Sequence, residues 1–417
     1  MSYYTNSIVT HELQANTNST NFRTEFRLDA NKLYMSNMRL LNIGWVQNVA
    51  GIPAVNRLVG TYGIIKNLSL FDDNELIDGL DNFNLWAAFL CYNKKNDDNR
   101  STNYFLKKNN MAKVSVGLKS NGAIITKVLD DNLCNNTVGV RAWLDLSAYL
   151  DFLKKSSFVS THYFKRLRIV IEYETDVGNL TPNSLTTTVS SLEPLLVVDE
   201  MVDDNIIMSV MKNMSDVQYQ PIETSRVIMP VHANLPTSAL DEGQVQDVAF
   251  TIQGFNNKSI NRFTVMPVGT QVVSTLYGKL MAQGMNLNNF NITTSQGDLF
   301  SGRGITLDNQ RRKMLTDLWG DCTDQVGAQW VNTATSAITD AAQSLGFLEP
   351  ISVKLEQEMV RNFQMLIGRK SVWDDVLGTG NQANSRYNQE LHLHCFAEVV
   401  RQVVYNPKDM SYLITYV

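Results

Sequence analysis

Leu167-Arg168-Ile169-Val170-Ile171-Glu172-Tyr173-Glu174 and Tyr412-Leu413-Ile414-Thr415-Tyr416-Val417 are two aromatic, β-branched runs. The residue types suit a pleated, half-buried surface, so each run reads as a strand. Each also closes a longer stretch in which groups of strands flank a helix-like insert. The chain therefore reads as two copies of one β-rich plan, set end to end.

Working outward from the first run, Phe22-Arg23-Thr24-Glu25-Phe26-Arg27-Leu28 alternates apolar and polar residues, as a strand with one buried face does. Leu33 to Val46 reads as a second strand region, broken after it by Gly51-Ile52-Pro53. Ile64 to Phe71 is a third strand, and Asp72-Asp73-Asn74 turns it into a hairpin partner at Glu75-Leu76-Ile77-Asp78. Leu85, Trp86, Phe89 and Leu90 sit at helical offsets after Asn82. Val114 to Leu118 resumes alternation. Ala148 to Lys155, led in by Asp145-Leu146-Ser147, reads as the clearest helix of this half, with acid at its start and base at its end to match the helix dipole.

Thr175 to Ser191 carries Gly178, Pro182 and many Ser, Thr and Asn residues, so it reads as a linker. A second unit then opens near Leu192-Glu193-Pro194-Leu195. Ile222 to Met229, Val245 to Gln253 and Arg262 to Val268 alternate like strands, with a turn at Asn256-Asn257. Helical spacing appears in Thr270 to Met285, in Gln310 to Trp319 and in the Ala- and Thr-rich Thr333 to Leu345. Gln389 to Val404 alternates over a long stretch, and Tyr405-Asn406-Pro407-Lys408-Asp409 turns it into the final strand.

The 417 residues correspond to two or three domains at roughly 150 residues each. Hydrophobic residues make up 44% and charged residues 18%, with a net charge of −5. The charged share lies below the roughly 25% of an ordinary soluble domain, which fits surfaces covered by partners. Mild acidity disfavours sequence-specific nucleic-acid binding, which calls for a basic stripe. The polar segment Met1 to Thr20 has neither the cationic start nor the apolar stretch of a signal peptide, and no membrane span is expected. Cys91, Cys134, Cys322 and Cys395 form no CxxC pair, as expected of free thiols in a reducing compartment.

Each candidate for chemistry has a plainer explanation. In Leu391-His392-Leu393-His394-Cys395, the two histidines share one strand face and Cys395 points the other way. A tetrahedral zinc site needs further ligands, and only His11, His162 and His232 remain, so two His on a polar face is the expectation. Gly297-Asp298-Leu299-Phe300-Ser301-Gly302-Arg303-Gly304 lacks the Lys-Ser/Thr ending of a phosphate loop and reads as turns. The acid pairs Asp72-Asp73 and Asp203-Asp204 lack calcium-loop spacing and read as solvated turns. Lys154-Lys155, Lys165-Arg166 and Arg168 form the densest basic area, read as charges facing water rather than as a DNA contact. No catalytic, cofactor-binding or metal-ligating residue is assigned, and no enzyme activity is expected.

The order of features resembles the double jelly-roll major capsid proteins of double-stranded DNA viruses, above all the shorter ones of polinton-like viruses, adintoviruses and virophages. The residues that carry the likeness in the first half are Phe26-Arg27-Leu28-Asp29 with Leu33 to Ile43, Gly63 to Leu70, and Leu80 to Leu90 with Asn82-Phe83-Asn84-Leu85-Trp86. Trp143-Leu144-Asp145-Leu146, the Ala148 to Lys155 helix and Leu167 to Glu174 follow. In the second half they are Leu195 to Glu200, Gly254-Phe255-Asn256-Asn257-Lys258, Leu318-Trp319-Gly320 and a C-terminus that ends as a strand. Thr323 to Gly380 departs from the pattern and is read as an insertion carrying helices.

The resemblance implies an all-β fold of two consecutive eight-stranded antiparallel jelly rolls with short helical inserts. It divides the chain into an N-terminal arm (1–20), jelly roll 1 (21–176), a linker (177–192) and jelly roll 2 (193–417) with a helical insertion around 310–380. It implies a homotrimer shaped as a pseudo-hexamer that meets neighbouring capsomers, penton and minor capsid proteins, and a place in the virion after assembly in the host cell. The arm would lie beneath the shell. A jelly-roll receptor- or glycan-binding protein and a minor penton-type virion protein are the rival readings. A cupin-like metal oxygenase is a third, opposed by the scattered histidines.

Overall fold

The computed structural model describes residues 7–19, 23–41, 45–48, 65–87, 114–118, 124–128, 143–175, 187–190, 194–269, 287–300, 304, 351–373 and 388–417. Every pairing among the described strands is antiparallel. In chain order the first strands are β1 (Ile8–Gln14), β2 (Thr17–Ser19), β3 (Arg23–Arg27), β4 (Leu33–Met35), β5 (Arg39–Leu41), β6 (Trp45–Asn48), β7 (Ile65–Asp72) and β8 (Glu75–Leu80). They continue as β9 (Val114–Leu118), β10 (Ile124–Val128), β11 (Trp143–Asp145), β12 (Phe158–Ser160), β13 (Leu167–Tyr173), β14 (Thr187–Ser190) and β15 (Leu195–Met201).

Two of the sheets they form face each other across one core. The first runs β2-β3-β13-β7-β8. The opening run of the sequence, β13, lies at its middle: Leu167, Ile169 and Ile171 are fully buried, while Arg168 and Glu172 face the other way. Asp73, at φ 51, turns β7 into β8; Asp tolerates this left-handed conformation better than most residues. The second sheet is built on β15, which pairs with β1 along one edge and with β4 and β5 along the other. Residues 33–41 thus act as one strand interrupted between Met35 and Arg39, with β12 and β11 on its far side. Phe26, Leu68, Leu70 and Ile77 from the first sheet meet Leu40, Leu144, Val159, Leu196 and Val198 from the second in one hydrophobic cluster.

The strand pairings cross the boundaries that the resemblance implies. Within the stretch expected to be an N-terminal arm, residues 8–14 and 17–19 form β1 and β2, which pair into the two sheets, and Leu13 and Ala15 pack against the first core. Residue 193 does not open the second unit: β15 is hydrogen bonded into a first-half sheet, and the apolar Leu196 and Val198 fill the first core. The linker 177–192 also contains a strand, since β14 pairs with β6.

The second-half strands are β16 (Val217–Tyr219), β17 (Ile222–Met229), β18 (Val245–Thr251), β19 (Lys258–Gly269), β20 (Leu287–Thr294), β21 (Gly297–Asp298), β22 (Ile351–Val360), β23 (Gln364–Lys370), β24 (Leu391–Val399), β25 (Arg401–Asn406) and β26 (Ser411–Tyr416). The sheet β17-β24-β19-β22 faces β18-β23-β20-β21 across a second core. Phe255, Phe263 and Phe363 stack edge-to-face there, with centroids 5.9, 6.3 and 4.8 Å apart. Such packing favours the positive edge of one ring over the negative face of the next. A three-stranded sheet, β16-β25-β26, extends from this half.

The insertion expected around 310–380 is not helical where it is described. β22 pairs with β19 and β23 lies between β18 and β20, so both are body strands of the second roll. Met365 and Ile367 alternate into the core, a strand period and not a helical one, and Asn362 at φ 51 supports the turn between the two strands. The helices expected at 270–285, 310–319 and 333–345 lie outside the described residues.

Helices are short. The one expected over Ala148 to Lys155 is split into a 3₁₀ turn, Leu146–Ala148, capped by Asp145, and α1 (Asp151–Lys155). Leu150 is extended between them, which lets Leu146, Leu150, Phe152 and Leu153 all reach the core. α2 (Asp204–Lys212) was not anticipated. The Asp203-Asp204 pair read as a solvated turn is its start: the Asp203 carboxylate accepts from Asn205 N–H at 2.9 Å and Ile206 N–H at 3.4 Å. Asp is a favoured helix cap because it satisfies donors the helix leaves open.

Two measurements check this description. Asp203→Ala should cost about 1 kcal/mol through loss of the cap, read from urea unfolding. Phe263→Ala should cost about 3–5 kcal/mol. Its loss of hydrogen-exchange protection should concentrate in β19, β22 and β23 and spare β13.

Candidate functional site: the seam between the halves

β24 and β25 form one long strand that bends at Val400. β16 and β17 follow it along one edge in unbroken register, from Val217↔Val403 to Met229↔Leu391. The other edge changes partner at the bend, from β19 to β26. Val400 marks the exchange: its N–H donates to Ser259 O at 2.8 Å, and its carbonyl accepts from Val417 N–H at 3.3 Å.

This strand carries the second half onto the first. Leu391, Leu393, Cys395, Ala397 and Val399 fill the second core, whereas Val403 and Tyr405 belong to the first. Aromatic contacts close the seam. Trp86, from the helical segment 83–87, lies 5.0 Å from Phe396, and Phe152 of α1 lies 5.3 Å from Tyr219. Tyr163 meets Tyr405 at 5.0 Å, and Phe164 meets Tyr412 at 4.5 Å. Both faces of β19 and β24 are therefore covered at this end. Phe263 and Val265 point into the second core and Met266 into the first.

Polar groups at the seam are tied to backbone carbonyls of β8. The Tyr219 hydroxyl donates to Ile77 O at 2.6 Å. Arg401 donates to Leu76 O at 3.3 Å and to Glu223 Oε1 at 2.6 Å. Lys258 pairs with the other oxygen of Glu223, and the Tyr416 ring lies under both cations, 4.9 Å from the Arg401 guanidinium and 5.5 Å from the Lys258 ammonium. The Tyr412 hydroxyl donates to Asp72 at 2.9 Å and Glu75 at 3.0 Å. Desolvation and these two carboxylates push the Tyr412 phenol far up.

The residues singled out in the sequence are dispersed. His392 and His394 share a face of β24, and Cys395 is buried in the second core, where desolvation pushes its thiol up to about 12. Burial holds the His394 imidazole down, at about 4, with Arg226 and His392 adding to the effect. Among the described residues no three His, Cys, Asp or Glu side chains are grouped to hold a metal ion. Of the basic area, Arg166 pairs with Asp73 at 3.2 Å and Arg168 with Glu25 at 3.2 Å, while Lys154 and Lys155 are exposed at the end of α1. Burial alone would raise Glu25, but Arg27, Arg168 and Arg23 outweigh it and hold the carboxyl below its ordinary value. In the glycine loop, Gly297 (φ 118) and Asp298 form the short strand β21, and Thr293 Oγ1 donates to Asp298 at 2.5 Å.

Sequence reasoning found β17, β19, the long β24–β25 run and β26, and missed β16 and the chemistry of the seam. Arg401 stands far along the chain from Tyr219 and Glu223, and only the pairing of β16 and β17 with the β24–β25 strand brings it to them. No helix among the described residues is long and apolar enough to cross a membrane.

No protein-family model matches the sequence, and no curated protein matches it. Solved structures do. PBCV-1 VP54, fitted into a reconstruction of the virophage Sputnik, aligns over 98% of this chain and 97% of its own at 9% identity and a TM-score of 0.58. The mavirus major capsid protein aligns over 98% and 90%, at 9% identity and a TM-score of 0.55. The Faustovirus major capsid protein aligns over 95% and 90%, at 7% identity and a TM-score of 0.51. What this chain shares with them over nearly its whole length is a fold, the double jelly roll.

Proposed function

We propose that this protein is a major capsid protein of a double-stranded DNA virus. It self-assembles as pseudo-hexagonal trimers that tile an icosahedral shell around the genome. The observation that carries the reading is the pair of jelly rolls held abreast by one continuous strand, in the fold of two viral major capsid proteins.

Three such two-lobed protomers, set in a ring, present six similar lobes. A closed ring of identical subunits uses unlike surfaces in each contact, and it closes without leaving a free end. Obligate contacts of this kind bury more than about 2,000 Å². The surface has apolar material to cover: Leu240 is 95% exposed on the loop between β17 and β18, and Ile228, Val231, Leu235 and Val245 lie exposed on either side of it. The proposed partners are further copies of this chain, neighbouring capsomers, and penton and minor capsid proteins. The protein would act in the virion, without catalysis or a cofactor.

Light scattering on the purified, eluting protein should give three times the 47.0 kDa of one chain. Negative-stain images should show particles with a hexagonal outline. A protein that stays monomeric at high concentration, with no such outlines, would overturn the reading.

A further inference from the structure

Asp78 lies in β8, at the point where the first half grips the seam, and only 1% of it is exposed. Its Oδ1 accepts from Gly79 N–H at 2.7 Å and its Oδ2 from Phe152 N–H at 2.8 Å. Both donors are neutral backbone groups. Arg401 of β25 is the cation that acts on it, but that guanidinium is committed to Glu223 of β17, Leu76 O and the Tyr416 hydroxyl of β26. From α1 it faces the like charge of Asp151, whose Oδ2 accepts from Gln220 N–H at 2.8 Å. From β16 it faces Tyr219.

An ionised carboxylate in that position has lost its water and gained no cation of its own, which is costly; the neutral acid carries no such cost. Burial accordingly pushes the Asp78 carboxyl up to about 7, and Asp151 pushes the same way. The Phe152 and Gly79 N–H groups and Arg401 pull it back. The side chain also sits at a lever point. It ties β8 to α1, and both reach across the seam: β8 through Leu76 and Ile77, α1 through Asp151 and Phe152.

We propose that the joint between the two halves is proton-gated through Asp78, closed while the side chain is the neutral acid and loosened once it is the carboxylate. The folded state binds this proton more tightly than the unfolded chain does. The stability it contributes is therefore present in full below the ordinary carboxyl value of 3.8 and is lost as pH rises through about 7. Glu398 of β24, beside Asn261, Arg262, Asp151 and Lys154, is also raised by burial and acts in the same direction. The inference concerns the joint alone and does not depend on the protein building a shell.

Hydrogen exchange on the intact chain tests it, with rates corrected for the intrinsic effect of pH. Between about pH 5 and about pH 8.5, amides of residues 76–80, 150–153 and 217–220 should lose about a hundredfold protection relative to those of 364–367 in the second core. Asp78→Asn, which stays neutral throughout, should remove that difference, while Glu398→Gln should retain most of it. Equal protection at both pH values in the wild-type protein would overturn the proposal, as would a D78N protein that loosens as the wild type does. Should D78N fail to fold, the wild-type comparison decides alone, together with release of a proton on unfolding at about pH 6.

Discussion

The structure depends on one row of side chains. Along β24, alternate residues from Leu391 to Val399 fill the second core, and beyond the bend at Val400 the row continues as Val403 and Tyr405 in the first. A strand can do this only if it twists enough at one point to turn the same row from one core to another. The exchange of partners at Val400, β19 before it and β26 after it, permits that turn without leaving backbone groups unpaired. Because β16 and β17 stay in register across the bend, the two rolls are joined by a ladder and not by a tether.

From this constraint follows the unusual burial of the strands beside it. A sheet on the surface of a sandwich alternates covered and exposed residues, and β18 alternates half-buried and exposed ones. β19 is buried continuously from Arg262 to Pro267, because one face packs into the second core and the other, through Met266, into the first, where Trp86 also meets Phe396 of the neighbouring β24. Polar groups trapped in such a place must be satisfied locally. Arg401, Glu223 and Lys258 form a linked set with the Tyr416 ring over them, and the Leu76 and Ile77 carbonyls accept from Arg401 and Tyr219, while Arg401 Nε and the Tyr405 hydroxyl are buried without a hydrogen-bond partner among the described residues.

Much of this was legible in the sequence because strands with one buried face announce themselves by alternation. The hairpin at Asp72-Asp73-Asn74, the turn at Asn256-Asn257, where Asn257 takes φ 60, and the long run from Gln389 all appear where their residues indicate. The misreadings have physical causes. α2 was hidden because Asp203 serves equally as a turn residue and as a helix cap, and its only fully covered residue is Met211. β1 looked like an arm because an edge strand can be polar on its outer face; only Ile8, His11 and Leu13 are partly covered. β15 was given to the wrong half because a strand's composition reports burial, not partner. Asp78 gave no signal at all, since an acid in a hairpin is ordinary until α1 closes over it.

If the protein acts as the proposed capsid subunit, the seam has a purpose. Two domains in one chain ordinarily move against each other unless their interface is large and apolar. A protomer that supplies two of the six corners of a tile must hold its lobes at one angle, since an error there is repeated three times around the ring. A bent strand anchored in both cores imposes that angle, because turning one roll against the other would pull Tyr405 and Tyr412 away from Tyr163 and Phe164. The same rigidity makes a single buried carboxyl consequential: where the lobes are joined by packing instead of by slack, a charge set between them has nowhere to relax.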